Sequence, residues 1–179
     1  MTATQKFIQR YASGDGFQET TPATAGGAGN EGKIASLDTS TGLLPVSMLP
    51  VGVGPDTVVV TAAVALTAGQ FVNLYDASGT ASARKADNTD ATKPAHGFVL
   101  DSAASGTISV YMMGANNKVP VGAFVAADVG KPVYLSSAGG VTLTRPTAAG
   151  SLDQQLGVID AVGTTVTINF TPRLSIVVG

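Results

Sequence analysis

The chain has no cysteine, no tryptophan and only one histidine among its 179 residues. The missing cysteines exclude disulfides, thiolate nucleophiles and cysteine-bound metal sites together. His96 has no second histidine with which to form a catalytic dyad or a histidine-rich metal site, so a structural or surface role fits it best. The composition therefore argues against an enzyme, and we expect no catalytic residue, no cofactor and no metal.

Acidic side chains are also too sparse to suggest a cation site. Residues 87–90 read Asp-Asn-Thr-Asp and offer oxygen ligands, but they lack the alternating acidic positions and the closing glutamate of a calcium loop. Asn, Thr and Asp in this order are typical of turns, in which the side chains bond to nearby backbone groups. We predict a solvated turn.

Charge of either sign is scarce. Charged residues make up 12% of the chain, about half of the ~25% usual for globular proteins. Ten Lys and Arg oppose twelve Asp and Glu, which gives a net charge of −2, and no basic run could follow a phosphate backbone. We expect no binding to nucleic acid, and a surface that is either small and polar or partly covered by partners.

Long apolar runs are missing as well. Residues 1–10 lack the apolar core of a secretory signal, and residues 57–75 carry polar side chains at strand-like spacing instead of about 20 consecutive apolar residues. We therefore expect a soluble protein that is made in a cytoplasm and has no membrane partner.

Two stretches of the chain resemble each other. Residues 68–84 match residues 129–145, and each stretch is followed by a Gly-led apolar run, a turn and an alternating strand. Five identical pairs lie 61 positions apart: Gly69 and Gly130, Val72 and Val133, Leu74 and Leu135, Gly79 and Gly140, Arg84 and Arg145. We predict a tandem duplication with repeats at about 68–114 and 129–171. The alternative is turn chemistry that many all-β chains share.

From residue 51 onward the hydrophobic pattern has a period of two, and no long window has a helical period. The predicted strands are 57–66, 70–75, 80–85, 97–101, 107–112, 132–135, 141–144, 156–160, 165–170 and 174–178. Short strands between frequent turns predict an all-β domain over residues 56–179, an antiparallel sandwich or barrel with one half per repeat.

An extended N-terminal arm, residues 1–19, precedes this domain. It contains an apolar cluster of Phe7, Ile8, Tyr11 and Phe17, and the spacing of the first three permits one helical turn. Nothing of similar length follows to bury this face, so we predict that the cluster anchors the chain to another surface. The alternative is a frayed terminus with incidental aromatic residues.

Residues 20–55 join the arm to the domain. Residues 20–30 are a flexible linker of small residues. Residues 27–33 match the start of a phosphate-binding loop, but Ile34 replaces the required Ser or Thr, which excludes that reading. The following connector is too apolar to be exposed and too short to form a core, so we predict an oligomer interface. Its members are Ile34, Leu37, Leu43, Leu44, Met48 and Leu49.

Two strings in the chain resemble a known family. Within residues 32–50, "Gly-Lys-Ile…Leu-Asp…Gly-Leu-Leu…Met-Leu-Pro" is similar to connector segments of tailed-phage fibre, collar and head-decoration proteins. Residues 56–171 resemble the β-domain of phage capsid decoration, or head cement, proteins through the order of Ala-Gly-Gln-Phe-Val-Asn-Leu-Tyr, Arg-Lys-Ala-Asp, Pro-Ala-His-Gly-Phe-Val-Leu and a strand ending Tyr-Met-Met-Gly. No single motif among these is diagnostic.

The resemblance implies a homotrimer with its connector at the three-fold axis. It also implies a location on the outer surface of the virion head and binding to the major capsid protein. The alternative is a phage fibre or tail adhesin whose β-domain binds a host glycan or another fibre protein. Such an adhesin should expose aromatic side chains, yet three of the four tyrosines lie in predicted strands, which favours decoration.

Arg84 and Arg145 occupy matching positions of the two repeats. Because the chain has few charges, we predict that each arginine forms the same buried or interfacial ion pair. The alternative is that both lie at exposed strand ends, where an ion pair contributes little.

Overall fold

A computed structural model of the chain describes residues 7–10, 16–20, 23, 35, 37, 44, 48 and 56–179. Backbone contacts divide the chain into two compact units, Met1–Gly54 and Pro55–Gly179. The second unit begins next to residue 56, where the change to strand periodicity predicts the start of the β-domain.

In the first unit, β1 (Phe7–Arg10) and β2 (Phe17–Thr20) form an antiparallel hairpin. Residues 7–10 are therefore extended and do not begin the helical turn that their spacing permits. One isolated helical turn gains too few hydrogen bonds to offset its nucleation, whereas pairing with a second strand satisfies backbone groups along the whole segment.

The second unit begins with a closed five-stranded barrel. Its strands are β3 (Thr57–Ala62), β4 (Phe71–Ala77), β5 (Thr80–Lys85), β6 (Gly97–Phe98) and β7 (Gly106–Tyr111), in the order β3-β5-β4-β6-β7. All neighbours are antiparallel except β3 and β5, which pair in parallel and close the barrel. Small and branched side chains fill the interior: Val60, Ala62, Leu66, Val72, Ala83, Val99, Ile108 and Val110.

The remaining strands are β8 (Gly114–Pro120), β9 (Pro132–Leu135), β10 (Val141–Thr142), β11 (Leu152–Asp153), β12 (Gln155–Val162), β13 (Thr165–Phe170) and β14 (Ile176–Val177). Five of them form an antiparallel sheet in the order β10-β9-β12-β13-β8, while β11 and β14 pair separately. The fold is all-β, as the sequence predicts, with a barrel and an open sheet.

The barrel and the open sheet have the same strand order. Because the barrel is closed, its order can be started at β5 and written β5-β4-β6-β7-β3, which corresponds strand by strand to β10-β9-β12-β13-β8. Val72 of β4 and Val133 of β9 then lie in corresponding strands. The register also corresponds, because Gly97 faces Val72 and Gly157 faces Val133. This order supports the predicted duplication, and close superposition of the two halves stays a prediction.

The two halves share one core. Phe71, Phe98 and Tyr111 point out of the barrel, and the first two meet Phe170 of the open sheet at ring-centroid distances of 5.3 and 5.7 Å. Other members of this core are Ala86, Ala95, Val119, Val133, Leu135, Leu156, Ile159, Val166 and Ile168. Burying one large apolar side chain contributes about 1.5–3 kcal/mol, so this packing binds the halves into one body.

Candidate functional site

The predicted anchoring arm presents apolar side chains to solvent. Ile8 faces Glu19 and Arg10 faces Phe17 in the hairpin register, which places Ile8 and Phe17 on the same face of the two strands. Ile8 is 75% exposed and Phe17 is 72% exposed. Phe7 lies in β1, and Tyr11 lies outside the described residues. The described part of the cluster is thus uncovered and available to a partner.

The predicted oligomer interface is described at three positions. Leu37 and Leu44 are exposed and Met48 is half-buried. The other members, Ile34, Leu43 and Leu49, lie outside the described residues. An exposed leucine gains free energy when another surface covers it, so these positions are suited to an interface.

Arg145 forms one of the two predicted ion pairs. Its guanidinium donates to the carboxylate of Asp153, with Nε and Nη2 each 2.6 Å from Oδ2. The hydrogen bond and the charge of Asp153 raise the pKa of Arg145. Arg145 is largely exposed while the Asp153 side chain is nearly buried, so this arginine covers a carboxylate at the edge of the domain.

Arg84 makes different contacts. Its Nε donates to Oδ1 of Asn73 at 2.9 Å, its Nη2 donates to the carbonyl of Thr92 at 3.1 Å, and its guanidinium lies 4.5 Å from the centre of the Tyr75 ring. The ion pair is therefore not repeated among the described residues. The strand register explains the difference. Arg84 lies in β5 and faces Asn73 of β4, whereas Arg145 lies beyond β10, which ends at Thr142, and so has no partner in the sheet register.

The single histidine has a structural role. The backbone N–H of Leu74 donates to Nδ1 of His96 at 3.0 Å, and the backbone N–H of His96 donates to the carbonyl of Val72 at 2.8 Å. If β6 began earlier, a backbone carbonyl of that strand would accept the N–H of Leu74, and here the His96 ring accepts it instead. This arrangement requires the ring proton on Nε2, and it uses the nitrogen that a metal or a general base would need.

Residues 87–92 form two consecutive side-chain turns. Oδ1 of Asp87 accepts bonds from the N–H and hydroxyl of Thr89, and Oδ1 of Asp90 accepts the same two bonds from Thr92. Lys93 adds an ion pair to Asp90 at 2.8 Å, and together with the Thr92 bonds it lowers the pKa of Asp90 well below its usual value. In the described ranges, no three His, Cys, Asp or Glu side chains come together as metal ligands.

Two buried amides that sequence reasoning missed join the halves. Gln154 pairs with the backbone of Ala95, accepting its N–H at 2.7 Å and donating to its carbonyl at 2.9 Å. Asn116 donates to the carbonyl of Gly69 at 2.9 Å. The residues around them read Ala-Asn-Asn-Lys and Asp-Gln-Gln-Leu, with no apolar alternation that would indicate a buried position.

A cleft of about 620 Å³ opens on the second unit. It is lined by residues 67–70, by 138–144 and by five residues between 119 and 124; we call it the seam cleft. No lining residue is charged. The side chain of Gln70 is already occupied, since it accepts the N–H of Thr67 and donates to the carbonyl of Ala138. The cleft lacks an acid, a base or an activated nucleophile, and it suits an uncharged apolar ligand.

The C-terminal segment, residues 174–179, also presents apolar side chains. Leu174, Ile176 and Val177 are 91%, 60% and 52% exposed, although the last two belong to β14. The sequence predicts this strand but gives no sign that both of its side chains face solvent.

Within the described part of the chain, none of the helical segments has the length and apolar character needed to span a bilayer. The only helices in residues 56–179 are single 3₁₀ turns at Ala126–Asp128 and Ser137–Gly139.

Comparisons with known proteins return a structural similarity. No family model and no curated protein matches the sequence. Among solved structures, the chain is similar to the N base of the head fiber protein gp8.5 of bacteriophage phi29. The TM-score is 0.45 with 12% sequence identity, over 64% of this chain and 94% of that one.

Proposed function

We propose that this chain is a structural protein of a tailed-phage virion, which binds the major capsid protein on the outside of the head and stabilises the shell. The proposal begins from the sequence resemblance of residues 32–50 and 56–171 to connector and decoration proteins. The observation that carries it is the N-terminal hairpin, which presents Ile8 and Phe17 on one exposed face in a unit separate from the β-domain.

The β-domain fits the role of a rigid body. Its two halves share one filled core, and every buried side-chain nitrogen and oxygen of the described residues has a hydrogen-bond partner. The exposed apolar side chains of the hairpin do not contribute to the core that stabilises this domain. Their exposure is therefore better explained by a partner.

The arm can contribute to the free energy of attachment. Burying Ile8 and Phe17 would contribute about 1.5–3 kcal/mol each. In a homotrimer three arms belong to one body, so binding of the first arm raises the effective concentration of the other two. We propose the trimer because it would also cover the apolar connector, including Leu37 and Leu44.

Co-sedimentation with empty capsids tests the role of the arm. We expect Ile8→Asp combined with Phe17→Asp to abolish capsid binding while the protein keeps its native oligomeric mass. The matched control is Val59→Asp, because Val59 is an exposed apolar residue of β3 in the other unit. Unchanged binding by the arm variant would place attachment on the β-domain and reject the arm as the anchor.

Light scattering tests the trimer separately. The expected mass is three times 17.8 kDa, and a stable monomer at micromolar concentration would reject it. If the native protein binds no capsid but binds a host glycan or a fibre protein, the proposal fails and the adhesin alternative replaces it.

A further inference from the structure

The seam cleft lies where the second half of the domain fails to close. In the barrel, β3 and β5 pair in parallel through Thr61 with Ser82 and Ala62 with Ala83. The corresponding strands β8 and β10 are the two edges of the open sheet. The cleft walls include Val119 and Pro120 of β8 and residues 141–144, which begin with β10. The cleft therefore occupies the place where the first half has a strand-to-strand contact.

The walls of the cleft are fixed in position by the loop at residues 67–70. Gly69 packs so closely on the carbonyl of Lys118 that no Cβ would fit, and the buried Asn116 amide donates to the carbonyl of Gly69. On the other side, Nε2 of Gln70 donates to the carbonyl of Ala138 at 3.1 Å. These contacts tie the edge strand β8 and the turn before β10 to the same loop. The opening is therefore preformed and does not depend on a ligand.

The chemistry of the cleft selects its occupant. Val119, Phe124, Val141 and Leu143 supply apolar walls, and no charged side chain lines the opening. A charged occupant would lose its hydration without gaining a partner. Two strand edges favour an extended chain, because unpaired edges recognise added strands. The volume of about 620 Å³ lies within the range of roughly 300–1,000 Å³ for ligand sites.

The chain itself contains a segment with this chemistry. Residues 174–179 read Leu-Ser-Ile-Val-Val-Gly, without a charged side chain, and include the extended strand β14. β14 is hydrogen-bonded to β11, while the side chains of Leu174, Ile176 and Val177 stay exposed.

We propose that residues 174–178 of a second copy occupy the seam cleft. The cleft and the segment are different patches, so the contact is heterologous, and it gives a closed ring when the rotation between neighbouring copies divides a full turn evenly. This contact joins β-domains directly and does not depend on capsid binding.

Disulfide trapping tests the contact, since the native chain has no cysteine. Thr142→Cys puts a thiol in the cleft, and Ser175→Cys puts one in the segment while keeping its apolar residues. Each variant is first checked for a native circular dichroism spectrum. A disulfide needs Cα atoms within about 7 Å, so we expect mixing the two single variants under mild oxidation to give at least about tenfold more mixed dimer than the control pair.

The control pair is Thr142→Cys with Ser105→Cys, an exposed serine of the barrel. Equal yields from the two mixtures would overturn the proposal. So would an intrachain disulfide in the double variant Thr142→Cys/Ser175→Cys without mixed dimers from the single variants, because the segment would then occupy its own cleft.

A charge in the segment provides an independent readout. We expect Ile176→Asp to lower the mass measured by light scattering at micromolar concentration, whereas Val59→Asp should leave it native. Loss of mass in both variants, or in neither, would contradict the proposed contact.

Discussion

Two glycines show how single residues set the strand spacing in each half. A Cβ on Gly97 would lie 2.5 Å from Cγ1 of Val110 and 2.6 Å from the carbonyl oxygen of Tyr111. In the second half, a Cβ on Gly157 would overlap the carbonyl of Asn169. Both glycines face a valine of the neighbouring strand. The absence of a side chain is thus required at the same point of both sheets.

Replacing Gly97 by alanine should destabilise the protein, because the clashing carbonyl belongs to a paired strand and has no room to move. Overpacking of this kind costs typically about 1–3 kcal/mol. Urea denaturation measures the loss. Gly163→Ala is the control, since its nearest atom would lie 3.9 Å away. Equal stability of the two variants would contradict the tight contact at Gly97.

Two carboxylates in turns, those of Asp90 and Asp128, make the free energy of unfolding depend on pH. Hydrogen bonds and the charge of Lys93 lower the pKa of Asp90 below 3.8, and the hydrogen bonds from Lys131 and the Val125 backbone lower that of Asp128. A carboxylate whose pKa is lower in the folded protein stabilises the fold at pH values above its unfolded pKa of 3.8. This stabilisation is lost as the pH falls through the pKa of the folded protein.

We therefore expect the free energy of unfolding to be steady above about pH 5 and to fall as the solution is acidified below about pH 4. Asp90→Asn should flatten this decline, because the variant has no carboxylate to protonate there. Denaturation series at several pH values compare the variant with the native protein, and identical slopes for the two would contradict the expectation.

At the scale of elements, β8 completes the second sheet although it does not look like a strand. Its sequence is Gly-Ala-Asn-Asn-Lys-Val-Pro, and its buried positions, Asn116 and Val119, lie three residues apart. An irregularity in its pairing with β13, between Val166 and Ile168, shifts the alternation. The strand is held by β13 on one side and by the Asn116 bond to Gly69 on the other.

Asn116→Ala should lower the free energy of unfolding by about 1–3 kcal/mol, because the buried carbonyl of Gly69 loses its donor. Its neighbour Asn117 is exposed, so Asn117→Ala should change stability by less than about 0.5 kcal/mol. Chemical denaturation of the two variants provides a matched comparison. A larger loss at Asn117 would show that the Asn116 bond does not stabilise β8.

At the scale of the whole molecule, the two halves have the same strand order, but only the barrel has a core made entirely of its own residues. The barrel encloses its own core, whereas the open sheet buries its apolar face only with the help of Phe71, Phe98 and Tyr111. The second half therefore depends on the first for part of its core, which a simple pair of repeats would not require.

Expressing the halves apart tests this dependence. We expect residues 56–179 to unfold cooperatively, while residues 114–179 alone give no cooperative transition, because their core side chains would face water. Adding residues 56–113 should restore the transition if the halves reassemble. A folded 114–179 fragment, judged by circular dichroism and thermal unfolding, would show that the shared core is not required.

Local patterns in the sequence determined the fold class and most strands. Alternating apolar residues predict β9 and β13 with the bounds that the structure has, because each buries one face over its whole length. The predicted bounds of β5 also match, although its buried residues, Ser82 and Ala83, are adjacent. The strand at β8 was not predictable, since its Asn116 is buried only through a partner 47 residues away. The same applies to the extended hairpin, whose first strand depends on pairing with the second.

Only the tertiary structure decided whether each half closes. The two halves share a strand order, yet β3 pairs with β5 through Thr61 and Ala62 while β8 and β10 stay apart, and the seam cleft follows from that separation. The core between the halves likewise forms only in the folded chain, where the rings of Phe71, Phe98 and Phe170 pack against one another. These residues are distant in sequence, so no local pattern records their contact.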